Sequence, residues 1–318
     1  MDMLHVRVVS PLDLTERTMA LLGAEPCVLD LLLQPGSARN PDGDAIAFDV
    51  LTGAANEVLR GLRDLGLDRR GSIVLDPVDT AFCERAARVR AEVLGPRPRP
   101  PVWDQVEARI GAEGRYPPSF HLLLVAAGMI GAVGILTNSQ ILIVAAMVVG
   151  PEYGAITSVA LGIDRHSGTR VRQGLAALAA GFTAAVAVTL LFSLVVRGLG
   201  LQPEAFDRGI RPVSNLINTP NFFSVVVAVL AGVIGIVSLT EARTSALLGV
   251  FISVTTIPAA ADIGVSCAFA SWSEARGSLF QLLLNVVVLV VVGTATLKCQ
   301  RAIWRSVGTG RPAPVRGR

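Results

Sequence analysis

Apolar and polar positions follow two different rules along this chain. In residues 1–80, short stretches of period two alternate with stretches of helical spacing. His5-Val6-Arg7-Val8-Val9 alternates like a strand and is stopped by Ser10-Pro11. Leu14, Thr18, Leu21 and Leu22 mark a helix from Leu12 to Gly23, with Gly23 placed to end it. Cys27 to Leu33 reads as a second strand ended by Pro35-Gly36, and Asp44 to Leu51 as a third. Val58, Leu59, Leu62 and Leu65 form the stripe of a second helix, and Ser72 to Leu75 give a fourth strand. The order β-α-β-β-α-β is the split-βαβ pattern of ferredoxin-like domains. Residues 1–80 are therefore expected to fold as a soluble, cytoplasmic α+β domain, with Val6, Val8, Val28, Leu31, Ile46, Phe48, Ile73 and Leu75 inside. Thr80 to Leu94 reads as a further helix, and Gly95-Pro96-Arg97-Pro98-Arg99-Pro100-Pro101 as a stiff linker. Val102 to Ile110 is either an interfacial helix with Trp103, Val106 and Ile110 on one face or an exposed connector; residues 81–118 thus join two domains.

The second rule begins at Tyr116. The next acid or base is Glu152, which leaves 36 uncharged residues. As one helix they would span about 54 Å at ~1.5 Å per residue, against a bilayer core of about 30 Å. The run must turn, and Thr137-Asn138-Ser139-Gln140 is the polar place to do so. Six apolar spans follow in residues 119–298, at about 119–136, 140–163, 173–196, 221–240, 245–270 and 278–297. The expected class is an α-helical polytopic membrane protein carrying an N-terminal ferredoxin-like domain.

Charge fixes the orientation. Residues 1–115 hold 32 of the acids and bases and residues 116–318 only 21. With the N-terminal domain inside, fourteen basic residues face the cytoplasm and four (Arg197, Arg208, Arg211, Arg276) face outward. Both termini, including the basic tail 299–318, are then cytoplasmic, and the membrane is the inner membrane. The net charge of +3 gives no reason to expect nucleic acid. The four cysteines show no metal-ligand spacing, so neither a metal nor another cofactor is expected.

Two spans are unusual. One contains Gly150-Pro151-Glu152-Tyr153-Gly154 and the other Thr255-Thr256-Ile257-Pro258, followed by Asp262. Proline removes a backbone donor, so each helix should break or kink, near Gly150, Pro151 and Gly154 in one and near Pro258 in the other. Gly128-Met129-Ile130-Gly131 recurs as Gly232-Val233-Ile234-Gly235, 104 residues on, while Pro151 and Pro258 stand 107 apart. Spans 1–3 and 4–6 therefore look like two copies with a three-residue drift. An odd number of spans per copy makes the repeat an inverted 3+3 one, the architecture of many secondary transporters.

Three stretches resemble a known family. They are Asn138 to Gly162 around Ala145-Ala146-Met147-Val148-Val149-Gly150-Pro151, Thr219-Pro220-Asn221-Phe222-Phe223 leading into Val227 to Gly232, and Gly249-Val250-Phe251-Ile252 through Pro258 to Gly264. They are similar to the prokaryotic membrane proteins of domain of unknown function 389, across about residues 119–270. The resemblance implies an integral membrane protein with a soluble N-terminal region and no established chemistry. The chain departs from the family pattern at Ala259, where a second proline is usual, and at Glu152 and Asp262, where the family is apolar or small.

An ionisable group inside a span is costly and is a functional candidate for that reason. Glu152 is placed near mid-membrane, and Asp262 nearer the outer end, where it could snorkel. Asn138, Thr255, Thr256 and Asn285 supply neutral oxygens. These residues suggest a transporter or channel-like protein for a small solute or ion with a cytoplasmic regulatory domain, and no enzyme. The alternative is a membrane-anchored sensor or scaffold that binds a ligand or partner through its N-terminal domain. Glycine spacing in the spans suits close helix packing and a homo-oligomer.

Overall fold

The computed structural model describes residues 3–78, 81–94, 100–241 and 255–308. Most of the Pro/Arg-rich linker, the first part of the expected fifth span with Arg243, and the tail beyond Gly308 lie outside these residues. The chain divides into two compact units, one built on the residues up to Val106 and one on Glu107–Ile303.

The first unit is a four-stranded antiparallel sheet with strand order β2-β3-β1-β4. Its strands are β1 (Met3–Ser10), β2 (Val28–Arg39), β3 (Asp42–Leu51) and β4 (Ser72–Val78). Its principal helices are α1 (Leu12–Gly23) and α2 (Thr52–Asp64), followed by the short α3 (Leu67–Arg70) and by α4 (Glu84–Val89), which runs on as a π turn to Leu94. Period two sorts the strands: Val6, Val8, Ile46, Phe48 and Val50 are fully buried, and Leu22, Leu59 and Leu62 of the helices close the same core. Leu31, Ile73 and Leu75 are partly buried and pack on it. The second strand does not stop at Pro35-Gly36. It continues to Arg39, absorbing the proline and glycine in a register shift between Gln34 and Ala38, because bulges accept such residues. His5 sits opposite Asp49 in the β1–β3 register and bonds it at 2.8 Å.

The second unit begins with the C-terminal half of α5 (Trp103–Glu113), where Ile110 is fully buried. Its apolar helices are α6 (Pro118–Leu136), α7 (Gln140–Val149), α8 (Glu152–Asp164), α9 (Gly168–Gly198), α12 (Phe222–Thr240), α13 (Thr256–Ala268) and α14 (Trp272–Gly308). Two short helices, α10 (Glu204–Asp207) and α11 (Pro212–Asn218), lie between α9 and α12. Among the described residues, α6, α9, α12 and α14 are long and apolar enough to cross a membrane. The pair α7–α8, bent by 49°, makes a fifth candidate.

The faces of these helices are inside-out relative to a soluble protein. Helix α14 exposes Leu279, Leu283, Val287 and Val291 and buries Ser278, Gln281, Asn285 and Thr294. Exposed apolar stripes of this kind suit hydrocarbon, and the polar groups must then find partners inside.

Corresponding helices recur at one interval. Helices α6 and α12 are both 19 residues long and begin at Pro118 and Phe222. Helices α8 and α13 are both 13 residues long and begin at Glu152 and Thr256, 104 positions apart. Helices α9 and α14 begin at Gly168 and Trp272, at the same spacing. The ends agree too. Helix α8 closes on His166 with φ 54° and α13 on Ala270 with φ 59°. Ser167 N–H then bonds Gly162 O, and Ser271 N–H bonds Ser266 O, both at 2.8 Å, the Schellman arrangement.

Packing contacts exchange between the two sets. Gly264 of α13 lies against Thr189 of α9, and Gly293 of α14 lies against Ala160 of α8. Ile257 of α13 packs with Ala127 and Ile130 of α6, and Tyr153 of α8 reaches Gly235 of α12. The interval is constant through these elements, so the expected three-residue drift is absent. Pro151 corresponds to Thr255, and Pro258 corresponds to Gly154. The two prolines occupy different places in matched elements.

Candidate functional site

The site grows from the break between α7 and α8. Proline at 151 has no N–H to offer the Met147 carbonyl, and its ring would crowd the preceding turn, so α7 ends at Val149. Gly150 takes extended backbone with φ −71° and ψ 131°, and Glu152 opens α8. A side chain at Gly150 would run into Ile257 and into Glu152 Oε2. Only glycine lets the break lie directly on the start of α13.

Helix α13 begins at Thr256, after Thr255 with φ −84° and ψ 40°. Pro258 is the third residue of this helix, where its missing N–H costs no intrahelical bond. It therefore helps to open α13 and does not interrupt it. Gly154 is likewise no break: it is helical in α8, and it gives room to Glu113 of α5.

The two helix starts meet at Glu152. Thr256 Oγ1 donates to Glu152 Oε1 at 2.7 Å. Glu152 is 6% exposed, and its Oε2 has no partner among the described residues. Next to Thr256, Thr255 Oγ1 accepts from Asn285 Nδ2 at 3.0 Å and from Gln281 Nε2 at 3.3 Å. Gln281 Nε2 also donates to Asn285 Oδ1 at 3.2 Å, while Gln281 Oε1 is buried and has no partner among the described residues.

One turn further along α14, Ser278 Oγ donates to Asp262 Oδ2 at 2.6 Å. Ser214 of α11 donates to Asp262 Oδ1 at 2.7 Å and accepts from Asn218 Nδ2 at 3.3 Å. Ser266, one turn on from Asp262 in α13, adds a contact at 3.5 Å. Asp262 is completely buried. The expectation that it reaches the outer surface fails because three hydroxyls from three helices hold it inside. Arg211, the basic side chain of the α10–α11 turn, is held at 3.1 Å by Glu274 and lies over the Phe206 ring at 4.1 Å.

The result is a buried polar track. It runs from Glu152 through Thr256, Thr255, Asn285, Gln281 and Ser278 to Asp262. Thr256 and Asp262 are six positions apart on α13, about 9 Å at ~1.5 Å per residue. Glu152, Thr255, Thr256, Asp262 and Asn285, all expected at a pathway, come together in it. Asn138 does not: it is in the α6–α7 turn, with φ 53°, and donates to Ile210 O at 3.0 Å. Ser214, Asn218, Ser266, Ser278 and Gln281 were missed. Ser278, Gln281 and Asn285 share the i, i+3, i+7 spacing of one helix face, a signal visible in the sixth span.

The family model for the domain of unknown function DUF389 matches residues 147–291, which include both carboxylates and every side chain of the track. The chain carries a DUF389 domain over these residues. The DUF389 match starts inside α7, just before the break, and ends inside α14, past Asn285. The sheet of the first unit lies outside it. No curated protein and no solved structure matches the chain.

Proposed function

We propose that the second unit is an inner-membrane transporter for a small ion, built as an inverted repeat of three spans and three. The observation that carries the reading is the meeting of two matched helix starts at the buried Glu152–Thr256 pair. Positions related by the repeat interval that also touch lie on the axis relating the two halves. A group on such an axis is equally placed for access from either side when one half rocks against the other. In this reading the sixth span consists of α14, and the fifth of α13 with the residues before it. The fourteen-to-four excess of basic residues supports a topology with both termini in the cytoplasm.

The first unit is then a cytoplasmic regulatory domain of ferredoxin-like type. Its chain order β-α-β-β-α-β and strand order β2-β3-β1-β4 support that assignment.

Flux through the purified protein in sealed proteoliposomes tests the proposal. Ion flux above that of empty vesicles, lost in Glu152→Gln, supports it. Flux equal to that of empty vesicles under every gradient would leave the membrane unit as an anchor.

A further inference from the structure

We infer that the ion held at the Glu152 end of the track is an alkali-metal cation. The inference rests on the transporter reading and gives it a substrate class.

The charge inventory points to a cation. Neither carboxylate of the track has a basic partner among the described residues. Glu152 is met by Thr256, and Asp262 by Ser214, Ser278 and Ser266. Arg211 is engaged by Glu274. A buried charge without an opposite one is strongly disfavoured in a low-dielectric interior, so a counter-charge belongs here.

The hydrogen-bond inventory points the same way. Two buried polar atoms of the track have no partner among the described residues, Glu152 Oε2 and Gln281 Oε1, and both are acceptors. Glu152 is one hydrogen bond from Thr256, and Gln281 is one from Thr255, so both flank the same dipeptide. An anion would add to the surplus of acceptors. A proton on Glu152 would satisfy one of the two. A metal cation takes several oxygens at once, and the Glu152 carboxylate, the Gln281 amide, the Thr256 hydroxyl and the Met147 carbonyl released by Pro151 are all oxygen donors of the hard kind.

Charge and donors set the kind of cation. One carboxylate at the break suits a single positive charge. Among the described residues no group of three His, Cys, Asp or Glu offers the richer donor set of a divalent or transition-metal site.

The test uses the full-length protein in detergent micelles, without any gradient. Labelling of Glu152 by dicyclohexylcarbodiimide and the Tm are followed at fixed pH in NaCl, LiCl, KCl or N-methylglucamine chloride of equal ionic strength. At least one alkali chloride is expected to slow the labelling about tenfold and raise the Tm relative to N-methylglucamine. Glu152→Gln should lose the Tm response. Gln281→Leu, which keeps the carboxylate, should need a higher salt concentration for the same protection. Labelling that responds to pH but to none of the three alkali ions would overturn the inference in favour of a proton site. A Tm response retained in Glu152→Gln would place the cation elsewhere and also overturn it. Protection without flux in vesicles would uphold the cation site while removing the transporter reading. Flux indifferent to alkali ions would do the reverse.

Discussion

Arg197 and Arg301 stand at matched positions of α9 and α14 and each clasps the end of a helix from the other set. Arg197 donates to the carbonyl of Ala268 at 2.6 Å, at the C-terminus of α13. Arg301 reaches Asp164 at 3.2 Å, at the C-terminus of α8, and also Glu107 at 3.0 Å. Ala268 and Asp164 are themselves separated by the repeat interval. A cation at a helix C-terminus is favoured by the helix dipole, so one device serves both halves. The Arg301 clasp is the richer, because Asp164 and Glu107 carry full charges and Arg165 also binds Glu107.

The clasps should therefore differ in strength. Arg301→Ala strands Asp164, whose side chain is 6% exposed, and should destabilise the protein by about 3–5 kcal/mol, the range for breaking a buried pair. Arg197→Ala removes a charged donor from one carbonyl and should cost about 1–3 kcal/mol. Unfolding of both variants in the same mixed micelles gives the order. Equal losses would deny the asymmetry.

The contact between Gly150 and Ile257 can be read by a double-mutant cycle. Gly150→Ala should force the break away from α13 and cost stability of about 1–3 kcal/mol, as overpacking does. Ile257→Ala alone leaves a cavity and should cost about 2–5 kcal/mol. Together they should cost less than the sum, since the smaller side chain at 257 admits the new methyl. Strict additivity would mean that the break and α13 are not in contact.

Much of the first unit was legible in the sequence, for a physical reason. A half-buried sheet writes its register as period two, and Val6, Val8, Ile46 and Phe48 fall inside as expected. The extension of β2 through Pro35 was not legible, because its pairing is supplied by β3 and a bulge rather than by local preference. In the second unit the break at Gly150-Pro151 was visible, since proline acts on its own backbone. The expected interruption near Thr256-Ile257-Pro258 falls at the start of α13, where Pro258 is the third helical residue, and the residues before Thr255 lie outside the described ones. The matching interval was blurred by pairing Pro151 with Pro258, whereas the helix starts keep 104 throughout. The serines around Asp262 were invisible, since α11, α13 and α14 bring them together only in three dimensions.

The first unit should behave as an independent folding unit. Residues 1–94 expressed alone should unfold cooperatively, and Phe48→Ala should remove about 3–5 kcal/mol from that transition. Gradual, non-cooperative melting of the fragment would show that it depends on the rest of the chain.

Glu113 of α5 gives a pH signature outside the spans. Although Glu113 is exposed overall, partial desolvation where it packs near Gly154 lifts its carboxyl above the ordinary value of 4.5, with Arg109 opposing. The folded state then holds the proton more tightly than the unfolded one. Stability from this group is complete below the unfolded value and is lost as pH rises through the raised folded value. Glu113→Gln should therefore be more stable than the parent at neutral pH, and the two should converge in acid. Melting both proteins from pH 4 to pH 8 checks the sign, and a glutamine variant that is less stable at neutral pH contradicts it.

The central claim is that Glu152, on the axis between two matched halves, carries an ion across the membrane. Its most direct measurement is ion flux into proteoliposomes holding the parent protein or Glu152→Gln, at equal reconstitution and with matching Tm to show that both are folded. The account predicts flux above the empty-vesicle level for the parent, and flux reduced to that level by loss of this one charge. Equal flux through both folded proteins would contradict it.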